Sequence, residues 1–530
     1  MLGTRPSRPA RAAWVAVLAL ASARAAVEPP PAPAPHRPAA IHDLTRYGPV
    51  YWVPDMESVT VRKDLSYKRA GSTNLALDLY LPAGAPSGTL LPVVVFVNGV
   101  GDAPGMRLKE WGQYRGWPRL AAAHRLAGVS FDARPDPDNL EDLRDLFRWL
   151  REHGREEGLD PDRMALWCCS ANARNAYTYM MTDAGAWLRA AVIYYGSGEG
   201  AAIRADLPVE LVRSGRDNPF MNQAVDRFAA AASAAHAPWT VVNLPDAHHG
   251  FDCVDDTDAS RVQIRRTLEF LLRHLASGSP PDFASLPRGS APPAGAPDVP
   301  PPDARAAMAL FFGREWPEAA SAYAAWVERH PDDVDAWLML GNARVESRDV
   351  EGARAALTRA KALDPTIGET YALLGRLEAQ QRRYDAALPL LQRAIEVMPD
   401  DAESRHQLGG VLLAQKRYPE AVAMLEEAVR LAPGNGFAWN KLAGACMATG
   451  NYARAVEGFQ RVLTFVPNDA IVLYNFACAN ARAGNAAAAL DALDRSVANG
   501  FKDKSGLTAD PDLESLRGET RFQELVRRLE

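Results

Sequence analysis

Ser170, Asp217 and His249 have the residue types and the setting that nucleophilic catalysis needs. A serine hydroxyl is a poor nucleophile at neutral pH. It needs an imidazole to take its proton, and the imidazole needs a carboxylate to fix its tautomer and stabilise its charged form. Ser170 closes the run Met164-Ala-Leu-Trp-Cys-Cys-Ser-Ala-Asn172, where a strand-like apolar stretch passes straight into a helical one. Asp217 sits in Ser-Gly-Arg-Asp-Asn-Pro after the apolar Val209–Val212. His249 sits in Ala247-His-His-Gly-Phe251 after Thr240–Leu244. A serine before a helix is equally at home as an N-cap. Within the triad, His248 is the alternative base. Asp246 is the alternative acid, but it lies too close to His249 along the chain to reach the far imidazole nitrogen.

The elements that must position these residues alternate. Residues 57–69 and 73–81 switch between apolar and polar side chains, as two half-buried strands do. Leu91–Val97 (LPVVVFV) is continuously apolar, the pattern of a strand covered on both faces. Further strands are expected at Val129–Asp132, Met164–Cys169, Ala190–Tyr195, Val209–Val212 and Thr240–Leu244. Helices are expected over Asn139–Glu157, from Ala171, and at about 219–235 and 258–275. The order predicts a mainly parallel sheet with helices on both faces, after an opening hairpin.

The turn at Ser170 resembles the nucleophile elbow of α/β-hydrolases. Both flanking glycines of G-x-S-x-G are replaced, by Cys168 and Asn172. The His249-Gly-Phe triplet resembles the dienelactone hydrolase group, and the order Ser170, Asp217, His249 matches that of the superfamily. The resemblance covers about 40–278 and implies an α/β-hydrolase fold working without a cofactor through an acyl-enzyme on Ser170. By position, Asn98-Gly-Val-Gly101 matches the HGGG-type loop, with Asn98 in place of the His. The expected oxyanion donors are the backbone N–H groups of Val100 and Ala171. Cys169 offers a thiol nucleophile instead, as dienelactone hydrolases use, although the register puts Ser170 at the elbow. Only Gly196–Pro208 separates two strands where lipases insert a lid, so the implied substrate is a short-acyl or small polar ester. The alternative is a hydrolase-shaped binding module that has lost its activity.

Pro331, Pro365, Pro399, Pro433 and Pro467 recur at a spacing of 34 residues. Six residues beyond them come Trp337, Tyr371, Arg405, Trp439 and Leu473. Ten beyond come Gly341, Gly375, Gly409, Ala443 and Ala477, and 22 beyond is always Ala. This resembles the tetratricopeptide repeat. Each repeat is expected to be two antiparallel helices that cross closely at Gly or Ala and end at Pro. About six repeats are expected over 303–503, all-α, with a capping helix in 504–530. The resemblance implies a protein partner or self-association through the groove. Asp335, Glu369 and Glu403 stand where repeats that clamp acidic peptide C-termini carry basic residues, so that clamp is not expected.

Composition narrows the rest. The 530 residues are 48 % hydrophobic with a net charge of −6, which argues against a nucleic-acid partner. Five Cys without a CxxC, and no HExxH, argue against a zinc site. Arg5, Arg8 and Arg11 precede an apolar run of ten at 12–21 with small residues after it, so 1–25 reads as a signal peptide. That run is too short to span a bilayer. The expected chain is exported, periplasmic or secreted, with no membrane span. A Pro-rich leader (26–39) follows the signal. A second Pro-rich stretch (279–302), with nine Pro between Pro280 and Pro302, reads as a linker between the hydrolase-like part (40–278) and the repeats, each expected to fold without the other.

Overall fold

The computed structural model describes residues 46–529 except 85–87, 99–106, 135–137, 171–172, 199–202, 279–281, 284–285, 287–288 and 294–299. The expected signal peptide (1–25) and leader (26–39) lie outside the described residues. The described chain forms two compact units, 37–356 and 357–530.

The first unit is built on one eight-stranded sheet in the order β1-β2-β4-β3-β5-β6-β7-β8. The strands are β1 (Thr60–Ala70), β2 (Thr73–Leu81), β3 (Leu91–Val97), β4 (Ala127–Phe131), β5 (Leu159–Cys169), β6 (Leu188–Tyr194), β7 (Val209–Ser214) and β8 (Trp239–Leu244). The hairpin β1–β2 and the β2–β4 pair are antiparallel, and every other pairing is parallel. Helices α1 (Gly112–Ala123), α2 (Asn139–His153), α3 (Ala173–Thr178), α4 (Pro219–Ala234), α5 (Phe251–Val254) and α6 (Asp258–Leu275) fill the connections. The expected mainly parallel α/β-hydrolase sheet is therefore the one observed. Helix α1 was not expected. Its Gly-rich start and internal Pro118 hide the helical period, although it buries Trp117 and Leu120.

Alternation along the central strands divides the core into two layers. Val93, Val95 and Val97 of β3 and Met164, Leu166 and Cys168 of β5 face one layer. Val94 and Phe96, with Ala165, Trp167 and Cys169, face the other. The two adjacent cysteines thus point to opposite faces of the sheet. All five cysteines are free and buried.

The Pro-rich stretch is packed against this unit where it is described. Ser290 and Trp52 exchange backbone hydrogen bonds of 2.9 Å, and Gly289 N–H donates to the Tyr51 hydroxyl at 2.9 Å. The helices that follow, α7 (Pro302–Phe312), α8 (Trp316–Arg329), α9 (Val334–Glu346) and the start of α10 (Val350–Leu363), belong to the same unit. Met308 and Ala309 of α7 are buried with Tyr47, Cys253 and Val254. The Tyr47 hydroxyl donates to the Ala304 carbonyl at 3.4 Å. The change in composition at 279–302 therefore does not coincide with the limit of the compact unit: a proline-rich backbone can lie along a surface, and α7 carries apolar side chains that bury there.

The second unit contains the helix pairs α11 (Gly368–Gln380)/α12 (Tyr384–Val397), α13 (Ala402–Ala414)/α14 (Tyr418–Leu431), α15 (Gly436–Thr449)/α16 (Tyr452–Phe465) and α17 (Ala470–Arg482)/α18 (Ala486–Ala498). Close crossing explains the small residues. A Cβ on Gly375 would lie 2.7 Å from Leu391 Cγ, and one on Gly409 2.5 Å from Leu425 Cγ. The aromatic residue six beyond the proline bonds back to it locally. Tyr371 O–H donates to the Pro365 carbonyl at 3.0 Å, and Trp439 Nε1–H to the Pro433 carbonyl at 2.9 Å. Helices α19 (Lys504–Ala509) and α20 (Thr520–Arg528) close the unit. Leu507, Leu513, Leu516, Phe522 and Leu525 are buried with Leu490 and Leu493 of α18.

Candidate active site

Ser170 directly follows β5 with φ = 53°, the left-handed region that an L-residue enters only under local constraint. This tight turn lifts the side chain off the strand end. The room for it comes from an unexpected position. A Cβ on Gly196, two residues past β6, would lie 2.6 Å from Ala173 Cβ and 2.8 Å from the Ser170 carbonyl oxygen. The glycine that the close approach demands is therefore on the neighbouring strand's exit. Cys168 is small enough to lie buried in the same core layer as Ala173 and Ala176.

Strands β7 and β8 bring up the other two residues. They pair through Ser214 and Leu244, and the loops beyond stay zipped. Gly215 N–H donates to Leu244 O at 2.7 Å, and Arg216 N–H to Ala247 O at 2.9 Å. Asp217 and His249 follow these contacts directly. His249 Nδ1 is 2.7 Å from Asp217 Oδ2, and His249 Nε2 is 2.8 Å from Ser170 Oγ. Asp217 Oδ1 also accepts the Asn218 N–H at 2.7 Å, which holds the buried carboxylate in place. All three sequence-selected residues come together at the C-terminal edge of the sheet, the usual site end of such sheets.

The alternatives are placed elsewhere. Asp246 is exposed. His248 turns away from Ser170: its Nδ1 is 2.7 Å from Asp255 Oδ1 and its Nε2 is 3.0 Å from Glu315 Oε1. Cys169 is buried beside the Tyr114 hydroxyl, and burial, with the nearby charge of Asp252, pushes its thiol up to about 12. A thiol that stays protonated is a poor nucleophile. Val100 and Ala171, the expected oxyanion donors, lie outside the described residues. Asn98, directly after β3, is buried and donates from Nδ2 to the Phe131 carbonyl at 2.6 Å, so its side chain ties the end of β3 to β4.

Sequence reasoning missed the polar group behind His249. The Tyr195 ring lies 4.6 Å from the imidazole, centroid to centroid. Its hydroxyl donates to Asp252 Oδ1 at 2.6 Å. Gln113 and Trp117 donate to Asp252 Oδ2 at 2.9 and 2.7 Å, and the Cys253 thiol donates to the same oxygen at 3.5 Å, so this fully buried carboxylate is met by four side-chain donors. The signal available was Asp252 itself, an acid set directly after the His-Gly-Phe triplet in an apolar stretch. No group of three or more potential metal ligands occurs among the described residues.

The dienelactone hydrolase family model matches residues 168–275, the stretch that holds Ser170, Asp217 and His249. Tetratricopeptide repeat models match 305–366, 366–433 and 412–474. The chain joins a dienelactone-hydrolase-like domain to tetratricopeptide repeats. No curated protein matches it. Among solved structures, the thermophilic esterase Est2 of Thermogutta terrifontis, with propionate bound, is similar over 43 % of this chain and 98 % of its own, at 20 % identity and TM-score 0.35. A mutant of the esterase rPPE is similar over 43 % of this chain and 86 % of its own, at 18 % identity and TM-score 0.34. The repeats are similar to YrrB, a tetratricopeptide repeat protein with an unusual peptide-binding site, over 36 % of this chain and 98 % of its own, at 22 % identity and TM-score 0.34.

Proposed function

We propose that the hydrolase-like domain is a serine hydrolase acting on ester bonds, and that short-acyl or small polar esters are its substrates. The observation that carries this reading is the continuous relay Ser170 Oγ–His249 Nε2–His249 Nδ1–Asp217 Oδ2, with links of 2.8 and 2.7 Å, set at a serine with positive φ. Asp217 accepts a hydrogen bond from Nδ1–H and so fixes the tautomer, which leaves Nε2 free to take the Ser170 proton as Oγ attacks the ester carbonyl. The backbone N–H groups of Val100 and Ala171 are proposed to hold the oxyanion. His249 then gives its proton to the leaving alkoxide. A water, deprotonated by the same nitrogen, releases the acid and restores Ser170. The family match supports a hydrolase, and the repeat matches support an accompanying protein-interaction module for a protein partner or a second copy. Export to the periplasm or beyond is proposed from the sequence of residues 1–25. Among the described residues no helix is long and apolar enough to cross a membrane.

The deciding experiment is labelling with a fluorophosphonate probe, with Ser170→Ala as control. The expected result is stoichiometric labelling of the native chain and none of the variant. Absence of labelling in both, with no ester turnover, would favour the inactive binding module.

A further inference from the structure

The turn between α7 and α8 belongs to a repeat, yet it reaches the residues next to the relay. Gly313 lies so close to His248 that a Cβ there would be 2.6 Å from His248 Cδ2. The Phe312 ring is 6.2 Å from the His249 ring, centroid to centroid. Glu315 Oε1 is 3.0 Å from His248 Nε2 and 3.4 Å from Arg216 Nη1. Arg216 immediately precedes Asp217, and His248 immediately precedes His249. One carboxylate therefore grips the chain neighbours of both the acid and the base.

The grip is closed from the other side. Asp255 accepts both His248 Nδ1–H and His248 N–H, each at 2.7 Å. With a carboxylate on each ring nitrogen, the bonds are best satisfied by an imidazolium. Burial works against that proton, but Asp255 and Glu315 outweigh it and raise the His248 pKa above the ordinary imidazole value. The charged groups facing His248 are Asp255 after α5, Arg216 after β7 and Glu315 at the start of α8.

We propose that Glu315 is a positioning residue for the hydrolase reaction: by tying Arg216 to His248 it sets the spacing of the two loops that carry Asp217 and His249, so that the first repeat completes the active site. This rests on the reading of Ser170, His249 and Asp217 as the catalytic relay. A misplacement of a relay by a fraction of an ångström lowers kcat and leaves ground-state binding largely alone.

The test uses the full chain and p-nitrophenyl acetate, with Glu315→Ala, Glu315→Gln, His248→Asn, the double variant Glu315→Ala/His248→Asn, and Glu318→Ala on the exposed side of α8 as control. Glu315→Ala is expected to lower kcat about 10- to 100-fold with KM changed less than about twofold. Glu315→Gln keeps an acceptor for His248 and is expected to recover part of the loss. The double variant is expected to be no slower than the slower single variant, because both remove one clamp. Glu318→Ala is expected to match the native chain. A kcat within twofold of native for a folded Glu315→Ala overturns the proposal while Ser170→Ala still abolishes turnover. If Glu315→Ala does not fold, a folded Glu315→Lys, which removes the acceptor and repels Arg216, with a kcat within twofold of native overturns it equally. Native chain that shows no Ser170-dependent turnover removes the catalytic reading first, and this inference with it.

Discussion

At the scale of residues, the relay makes Ser170 and Cys169 separable although they are adjacent. Ser170→Ala is expected to lower kcat on p-nitrophenyl acetate at least about 10³-fold, the scale on which such relays act. Rates within threefold of each other would remove the serine from the chemistry. Cys169→Ala should leave kcat within about fivefold of native, because its thiol points into the core beside Tyr114 and is held protonated by burial. A loss comparable to that of Ser170→Ala would restore the thiol as nucleophile. The grouping of Ser170, Asp217 and His249 was legible because each follows a strand and their chain order is the one the resemblance carries. The glycine that makes room for the elbow was not legible at Gly196, since it serves a neighbour in space and not in sequence. The same holds for Glu315, 66 residues beyond His249 and inside a repeat whose own helical pattern gives an acid there no special mark.

At the scale of elements, β7 carries a buried acid whose titration is tied to folding. Glu210 lies in the core with the Thr267 hydroxyl donating to it, and burial, the largest influence, pushes its carboxyl from 4.5 up to about 7. The folded chain thus keeps this proton to about pH 7, whereas the unfolded chain gives it up near pH 4.5. Between these values the folded state binds more protons, so stability falls as pH rises. The contribution is fully present below about pH 4.5 and is lost above about pH 7, a change of about 3 kcal/mol at about 1.4 kcal/mol per pH unit. Glu210→Gln should therefore melt near the native temperature at pH 5 and clearly above it at pH 8. Equal shifts at both pH values would show that Glu210 ionises normally. In the repeats, period predicted helices well because each repeat solves one packing problem, and the glycines inside them are not equivalent. Gly444 in α15 faces open space, whereas a Cβ on Gly409 would meet Leu425. Gly444→Ala is expected to stabilise by up to about 1 kcal/mol. Gly409→Ala is expected to destabilise by about 1–3 kcal/mol. Thermal melts with the opposite order would mean that the crossing at Gly409 can relax.

At the scale of the whole molecule, the proline-rich stretch looks like a hinge in one dimension and behaves as a seam in three. Composition can report that residues 279–302 build no core of their own, but it cannot report that Ser290 pairs with Trp52 or that Met308 buries against Tyr47, because those partners lie more than 230 residues apart. The expectation of two independent halves therefore changes. A chain ending at residue 278 retains the whole sheet, so it should keep its strand and helix signature by circular dichroism. It also uncovers Tyr47, Cys253 and Val254, which Met308 and Ala309 otherwise bury. Loss of that apolar cover is worth roughly 3–5 kcal/mol, and loss of Glu315 releases the loops that carry Asp217 and His249. Such a chain should melt well below the full chain and turn over p-nitrophenyl acetate at least about 10-fold more slowly. A chain ending at residue 347, after α7, α8 and α9, should recover most of both. The comparison needs three chains, one melting curve each and one ester assay. If the chain ending at 278 matches the full chain in kcat, the first repeat is a passenger on the hydrolase surface. If the chain ending at 347 recovers stability without recovering kcat, the repeat supplies cover alone, and the link from Glu315 to the relay has no kinetic weight.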